Sequence, residues 1–384
     1  MNDRTELSRR AQWNAPANRL SIVREERRQS GARILDLTES NPTRASITYP
    51  LDALSEAMER AARAPYDPEP LGLRSAREAV AGEIGANAED IVITASTSEA
   101  YSFLFKLLTD PGDAILTATP SYPLLEHLAA LELIALRSFP LELHRRWEIE
   151  SHRVREAIAP RTRAIVVVSP NNPTGSFVTA AEQDVLASFD LPIIADEVFR
   201  PYAFEDGAPS IARDDVLTFA LGGLSKSAGL PHYKLGWIRV GGPAHAKREV
   251  MAALELIADN FLSVATPVQQ ALPELLRIGA TIRESLRTRT RENLDALTRA
   301  VELVPAVGLL PVEGGWTAVL RVPRIESDED LALRLLNEHG VLVHPGYFFD
   351  FDREGYLVLS LLTRPDVFAE GVAKIMESIR TQTC

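Results

Sequence analysis

Val216-Leu217-Thr218-Phe219-Ala220-Leu221 runs through Gly222 and Gly223 into Leu224-Ser225-Lys226-Ser227-Ala228-Gly229-Leu230-Pro231. An apolar run that ends in a glycine-lined turn predicts a buried strand with one lysine at its exit. An ammonium held in such a turn loses part of its hydration. That lowers its pKa and frees the amine to attack a carbonyl. A solvated lysine in a glycine-rich loop would satisfy the same residues, so the rest of the chain has to decide.

Working outward, short β-branched runs alternate with longer helical patterns, the signature of a parallel α/β sheet. The clearest strands are Ile91–Ile93, Ala114–Leu116, Ala164–Val168, Ile193–Ala195, Val216–Ala220 and Trp237–Val240. Ser98–Leu108 carries a helical apolar stripe at Tyr101, Leu104, Phe105 and Leu108, closed by Asp110-Pro111-Gly112. Met251 to Leu303 reads as long helices. Trp316–Val322 and Val341–His344 follow as strands, with Asp328–Glu338 and Asp366–Arg380 as helices. The expected architecture is α/β: a large domain with a mostly parallel central sheet and helices on both faces, plus a smaller α+β domain. Residues 1–45 form an N-terminal arm joining the small domain, 46–265 the large domain and 266–384 the small one. Arg24-Glu25-Glu26-Arg27-Arg28 reads as a solvated helix face.

Composition narrows the function classes. The 384 residues are 46% hydrophobic, enough for a large core, and carry a formal net charge of −12 with no basic run interleaved with aromatics. Nucleic acid is therefore not an expected partner. No run approaches the roughly 18 apolar residues of a bilayer span, and Met1–Glu6 has no apolar leader core. The one cysteine, Cys384, allows no internal disulfide. A cytoplasmic protein without a membrane partner is expected. The seven histidines never pair at helical metal-ligand spacing, so no metal site is expected.

Ligands of an open parallel sheet collect beyond the carboxyl ends of its strands, and four blocks lie there. In Thr94-Ala95-Ser96-Thr97-Ser98-Glu99, Ser96 and Glu99 match a capping box, and the same helix start offers N–H groups and hydroxyls to a phosphate. In Ser169-Pro170-Asn171-Asn172-Pro173-Thr174-Gly175, ordinary turn punctuation also projects the Asn172 amide. Asp196 ends the apolar run Ile193-Ile194-Ala195, where it either caps a backbone group or faces a protonated ring nitrogen. Lys234, eight residues beyond Lys226, adds a second cation. A cationic heterocycle, a phosphate and a carbonyl captured by lysine together describe pyridoxal 5'-phosphate.

The order and spacing of these blocks, with Tyr122-Pro123 between the first two, resemble the fold-type I aminotransferases of the class I/II group from about Leu35 to Ile379. The resemblance implies an aminotransferase that moves an amino group between an amino acid or amine and a 2-oxo acid. It makes Lys226 the Schiff-base and proton-transfer residue. Asp196 would pair with the pyridinium nitrogen, Asn172 would bond the ring's 3'-oxygen and Tyr122 would stack on the ring. Thr97, Ser98, Ser225 and Lys234 would hold the phosphate. Tyr66 matches a tyrosine that reaches the partner's phosphate across a homodimer with shared sites.

Departures from the family pattern qualify what the lysine is asked to do. Phe199 stands where a tyrosine would bond the 3'-oxygen, Lys234 replaces an arginine, Gly223 replaces a serine, and Ser96 replaces a glycine. Val358 occupies the place of the arginine that holds the substrate α-carboxylate. Arg364 and Arg44 are candidate substitutes, each also readable as a surface residue. Trp316 and Tyr347-Phe348-Phe349 would line a bulkier pocket or pack in the core. A lyase, decarboxylase or condensing enzyme on the same scaffold is the alternative. A non-catalytic cofactor sensor is a more remote one, for which the residues before Leu35 offer too little for a DNA-binding part.

Overall fold

The structure, a computed structural model, describes residues 18–205 and 209–383 together with Ser8 and Arg10. The readings of Met1–Glu6 and Cys384 lie outside the described residues.

Seven strands form the main sheet: β1 (Ile91–Thr94), β2 (Ala114–Thr119), β3 (Ala135–Pro140), β4 (Thr162–Val168), β5 (Ile193–Asp196), β6 (Thr218–Gly223) and β7 (Gly236–Gly241). Their order is β1-β7-β6-β5-β4-β2-β3, all parallel except β7, which runs against both of its neighbours. The strands are apolar on both sides because both sides are covered. Ala164, Val166 and Ile194 pack with Phe103, Leu104 and Leu254 on one face; Ile165, Val167 and Ile193 pack with Val154 and Leu186 on the other. The strand expected at Val216–Ala220 begins two residues later and extends to Gly223, bringing its end closer to Lys226. β3 escaped the sequence reading because it is an edge strand with mostly exposed or half-exposed side chains.

The helical region resolves into Ala244–Asp259 and the 37-residue helix Thr266–Glu302. Ile282 and Leu286 of the latter join a cluster with Ala76 and Val80, whereas Leu297 joins another with Leu35, Leu336 and Leu357. A second sheet, antiparallel throughout, is built from β8 (Gly308–Leu309), β9 (Thr317–Arg321), β10 (His344–Pro345) and β11 (Tyr356–Ser360), in the order β8-β9-β11-β10. Val341–Leu342 pairs instead, in parallel, with Leu35–Asp36.

The helix Arg19–Gln29 starts at Asn18, whose side chain accepts from the Ser21 N–H at 2.7 Å. It buries Leu20 and packs against the helix Asp328–His339, where Arg19 pairs with Glu329 and Asp330 at 3.0 and 3.1 Å. Among the described residues, no helix is long and apolar enough to cross a membrane.

Candidate active site

Five parallel strands and one antiparallel strand deliver their termini to a single edge. β1 ends at Thr94, just before the helix Thr97–Leu108; β4 ends at Val168, before Asn172; β5 ends on Asp196; and β6 ends at Gly223, before Lys226. β2 ends at Thr119, before Tyr122. β7, running backwards, begins at this same edge and so brings Lys234 there, with Gly236 in register with Gly223 and Thr94. The excursion from β6 to β7 is closed at its neck by the Leu224 N–H donating to the Leu235 carbonyl at 2.9 Å. A Cβ at Gly236 would be tight, standing 3.0 Å from the Ser96 carbonyl carbon and 3.1 Å from the Gly222 oxygen, so the backbone there would have to shift slightly.

A cavity of about 580 Å³ opens over that edge. Thr97, Ser98, Tyr122 and Asn172 line it, as do Asp196, Ser225, Lys226 and Lys234. Tyr66 does not: it is 73% exposed and borders a separate cleft with Phe103 and Gln269. Ser96 caps the helix start by accepting from the Glu99 N–H at 3.2 Å. The Glu99 carboxylate reaches the Ala95 N–H at 2.6 Å, one residue before the cap, so the box is completed off its usual position.

The electrostatics suit a cationic ligand beside Asp196. Asp196 is buried, and desolvation pushes its carboxyl up to about 6, although the Val198 N–H and the Tyr101 hydroxyl both donate to it, at 3.1 and 3.2 Å. Burial lowers the pKa of the Lys226 ammonium, against the pull of Asp196 and Glu39. Its Nζ donates to the Ser40 carbonyl at 3.4 Å and lies 5.0 and 5.8 Å from the ring centres of Trp316 and Phe199. Asn172 Oδ1 is buried with no hydrogen-bond partner among the described residues, a costly state unless a ligand completes it.

Residues 32–370 match the family model for aminotransferase class I and II. This chain belongs to that family. Among curated relatives, the aminotransferase is 25% identical over 368 residues to the glutamate-pyruvate aminotransferase AlaA of Haemophilus influenzae, covering 90% of this chain and 91% of the relative. It is 27% identical over 362 residues to human tyrosine aminotransferase, covering 88% and 77%. The alanine aminotransferase of Pyrococcus furiosus has the same fold, with a TM-score of 0.89, 23% identity, and coverage of 98% of this chain and all of that one (100%). Membership makes this chain an amino-group-transferring enzyme and implies pyridoxal 5'-phosphate as its cofactor.

The sequence reading missed several residues of the aminotransferase cavity. Tyr101 belongs to the apolar stripe of its helix, yet its hydroxyl serves Asp196. Thr38 and Ser40 enter from the segment after Leu35–Asp36, and no local motif marks them. Arg24 is exposed, in keeping with the solvated face read for its helix, and it also borders the cavity, together with His344 and Val358. The two arginines named as substitutes are elsewhere. Arg364 is exposed and held by Asp366 at 2.7 and 2.5 Å, Arg44 is exposed, and neither lines the cavity. Phe199 and Trp316 meet edge to face at 5.2 Å and belong to the wall, so both readings of Trp316, pocket and packing, apply at once. Away from the site, His144, Glu148 and Glu150 each bring a ligand atom within 4.8 Å of the others, a surface grouping that sequence spacing did not show. Nothing in the structure assigns an ion to it.

Proposed function

We propose that this cavity moves an amino group between an amino acid or amine and a 2-oxo acid, with pyridoxal 5'-phosphate held by the residues gathered at the carboxyl edge. The observation that carries this reading is the meeting of three groups in one cavity: the desolvated Lys226 amine, the buried Asp196 carboxylate within reach of its charge, and the Asn172 Oδ1, which has no partner among the described residues. When bound, the cofactor supplies a cationic ring that accepts the electron pair released at the substrate Cα. Asp196 would face the ring nitrogen, with Tyr101 and the Val198 N–H fixing the carboxylate. Asn172 would orient the ring and Tyr122 would cover it. Thr97, Ser98, Ser225 and Lys234 would hold the phosphate beside the N-terminus of the helix Thr97–Leu108. Lys226 would hold the cofactor through its amine and would remove and return the proton at the substrate Cα.

We take the enzyme to be a cytoplasmic homodimer with shared sites. Tyr66 supports this, being exposed and outside its own chain's cavity, as do the exposed Leu51 and Leu256. We divide the chain into an arm (1–45), a large domain (46–265) and a small domain (266–384), the last beginning with the helix Thr266–Glu302. Alanine, glutamate and tyrosine are the first donors to test, by analogy with the relatives' names. Val358 in the cavity wall favours, as a second reading, elimination or decarboxylation on the same scaffold.

The purified protein is expected to be yellow. Lys226→Ala should remove the visible absorption band and lower transfer by at least roughly 1,000-fold. Protein that stays colourless in excess cofactor would overturn the proposal. With a donor panel, conversion of the cofactor to its amino form supports transfer. Release of ammonia or CO2 without that conversion supports the second reading.

A further inference from the structure

We infer that Arg24, on the N-terminal helix, holds the carboxylate of the substrate, the task for which Val358 has no charge. The inference rests on the proposed function for the roles of the other two cations. Three cationic side chains line the cavity: Arg24, Lys226 and Lys234. Lys226 is committed to the covalent link and Lys234 to the phosphate, which leaves Arg24 for a further anion. A guanidinium suits that task, presenting paired N–H donors in the geometry of a carboxylate.

Position supports the assignment. His344 stands directly across from Val358 in the strand register. Burial chiefly pushes His344 down to about 4; the Asp36 charge opposes this and the Arg24 charge adds to it. Arg24 and the fully buried Val358, which presents only methyl groups, line the same cavity as His344. Among the described residues Arg24 has no ion pair, whereas its helix neighbours are engaged: Arg19 with Glu329 and Asp330, and Arg28 with Glu25. The carboxylates whose charges are felt here are Glu25, which interacts with Arg24, Asp36, which acts on His344, and Glu39, which acts on Lys226. Of these, Asp36 is already engaged by the Thr38 N–H and hydroxyl at 2.8 and 2.6 Å. Two buried nitrogens of residues lining the same cavity, Trp316 Nε1 and His344 Nδ1, have no hydrogen-bond partner among the described residues, which leaves capacity for a ligand's oxygens. The rest of the wall mixes aromatic rings, Phe199, Trp316 and Phe349, with hydroxyls such as Ser121, Thr317 and Ser360, and among the described residues it adds no further arginine or lysine.

The test compares a carboxylate with its uncharged twin. Binding of 3-phenylpropionate and of 3-phenylpropanamide to the protein loaded with pyridoxal phosphate is measured by calorimetry, for wild type, Arg24→Gln and Arg24→Lys. A lost charge-assisted pair should weaken the carboxylate roughly 10- to 100-fold in Arg24→Gln, leave the amide within about 2-fold, and be partly restored in Arg24→Lys. The same variants are followed with phenylalanine and phenethylamine: KM for the amino acid should rise in Arg24→Gln while the amine reacts as before. Equal carboxylate affinity in wild type and Arg24→Gln would overturn the inference, as would a matching loss for the amide. Failure of the proposed function shows separately, as absence of the visible band in all three proteins, and the carboxylate-to-amide ratio still reports on Arg24.

Discussion

Removing the Tyr101 hydroxyl strips one of the two donors from a carboxylate that burial already drives toward protonation. Tyr101→Phe should therefore raise the Asp196 pKa further and cost about 1–3 kcal/mol of stability. A denaturant titration gives the second quantity. An upward move of the acid limb of the kcat–pH profile gives the first, and an unmoved limb would count against a positioning role. The cofactor-free protein carries a related signature. Asp196 holds its proton up to about 6, above the ordinary 3.8, so the folded state binds more protons than the unfolded chain between those values. Stability from this group is present below pH 4 and is lost as pH rises through about 6, by on the order of 3 kcal/mol. Asp196→Asn should flatten that slope in thermal melts of the cofactor-free protein and lower cofactor affinity. At this scale the sequence separates roles only partly. Asp196 was legible because a carboxylate at the end of an apolar strand demands an explanation, whereas Tyr101 hid in a helical stripe in which an aromatic ring is the ordinary choice.

Where β1, β6 and β7 end side by side, backbone approaches backbone too closely for side chains. Gly236→Ala places a methyl against the Ser96 backbone and the Gly222 carbonyl, neither of which is the free end of a flexible group. The expected cost is about 1–3 kcal/mol of stability, together with weaker cofactor binding, because the displaced residues start the helix Thr97–Leu108. A fluorescence titration of pyridoxal phosphate against the variant checks this; unchanged affinity would mean that the strand ends yield without disturbing the phosphate corner. Elements buried on both faces announce themselves in sequence by continuous apolar runs, which is why β4 and β5 were legible nearly to the residue. β3 was not, since an edge strand with only Phe139 fully buried carries little pattern. The helix Arg19–Gln29 was legible as a helix, but the face that looks onto the cavity was not. A charged residue over a water-filled cleft and one over bulk water leave the same trace in the sequence.

Assembly of the complete site is a question for the whole molecule. If Tyr66 serves the partner's phosphate, a mixed dimer of Lys226→Ala and Tyr66→Phe subunits contains one site with both residues intact. Mixing the two inactive or weakened homodimers under exchange conditions should therefore recover activity, up to about half that of wild type per hybrid. No recovery, with subunit exchange shown by mass, would place Tyr66 outside the partner's site. The overall two-sheet layout was legible because the periodic signals are long, whereas the convergence of Leu35–Ser40 with Lys226 depends on pairing across most of the chain. The antiparallel course of β7 has a consequence of its own. Because the chain turns straight back from β6, Lys226 and Lys234 sit on one stapled excursion and share a single rigid frame with the main sheet. Arg24 is mounted on the other frame, the one that carries the second sheet. The spacing between the two lysines is therefore set within one sheet, whereas their spacing to the arginine is set by how the helix Arg19–Gln29 and its partner Asp328–His339 pack. A substitution in that helix pair can retune the second distance and leave the first as it was.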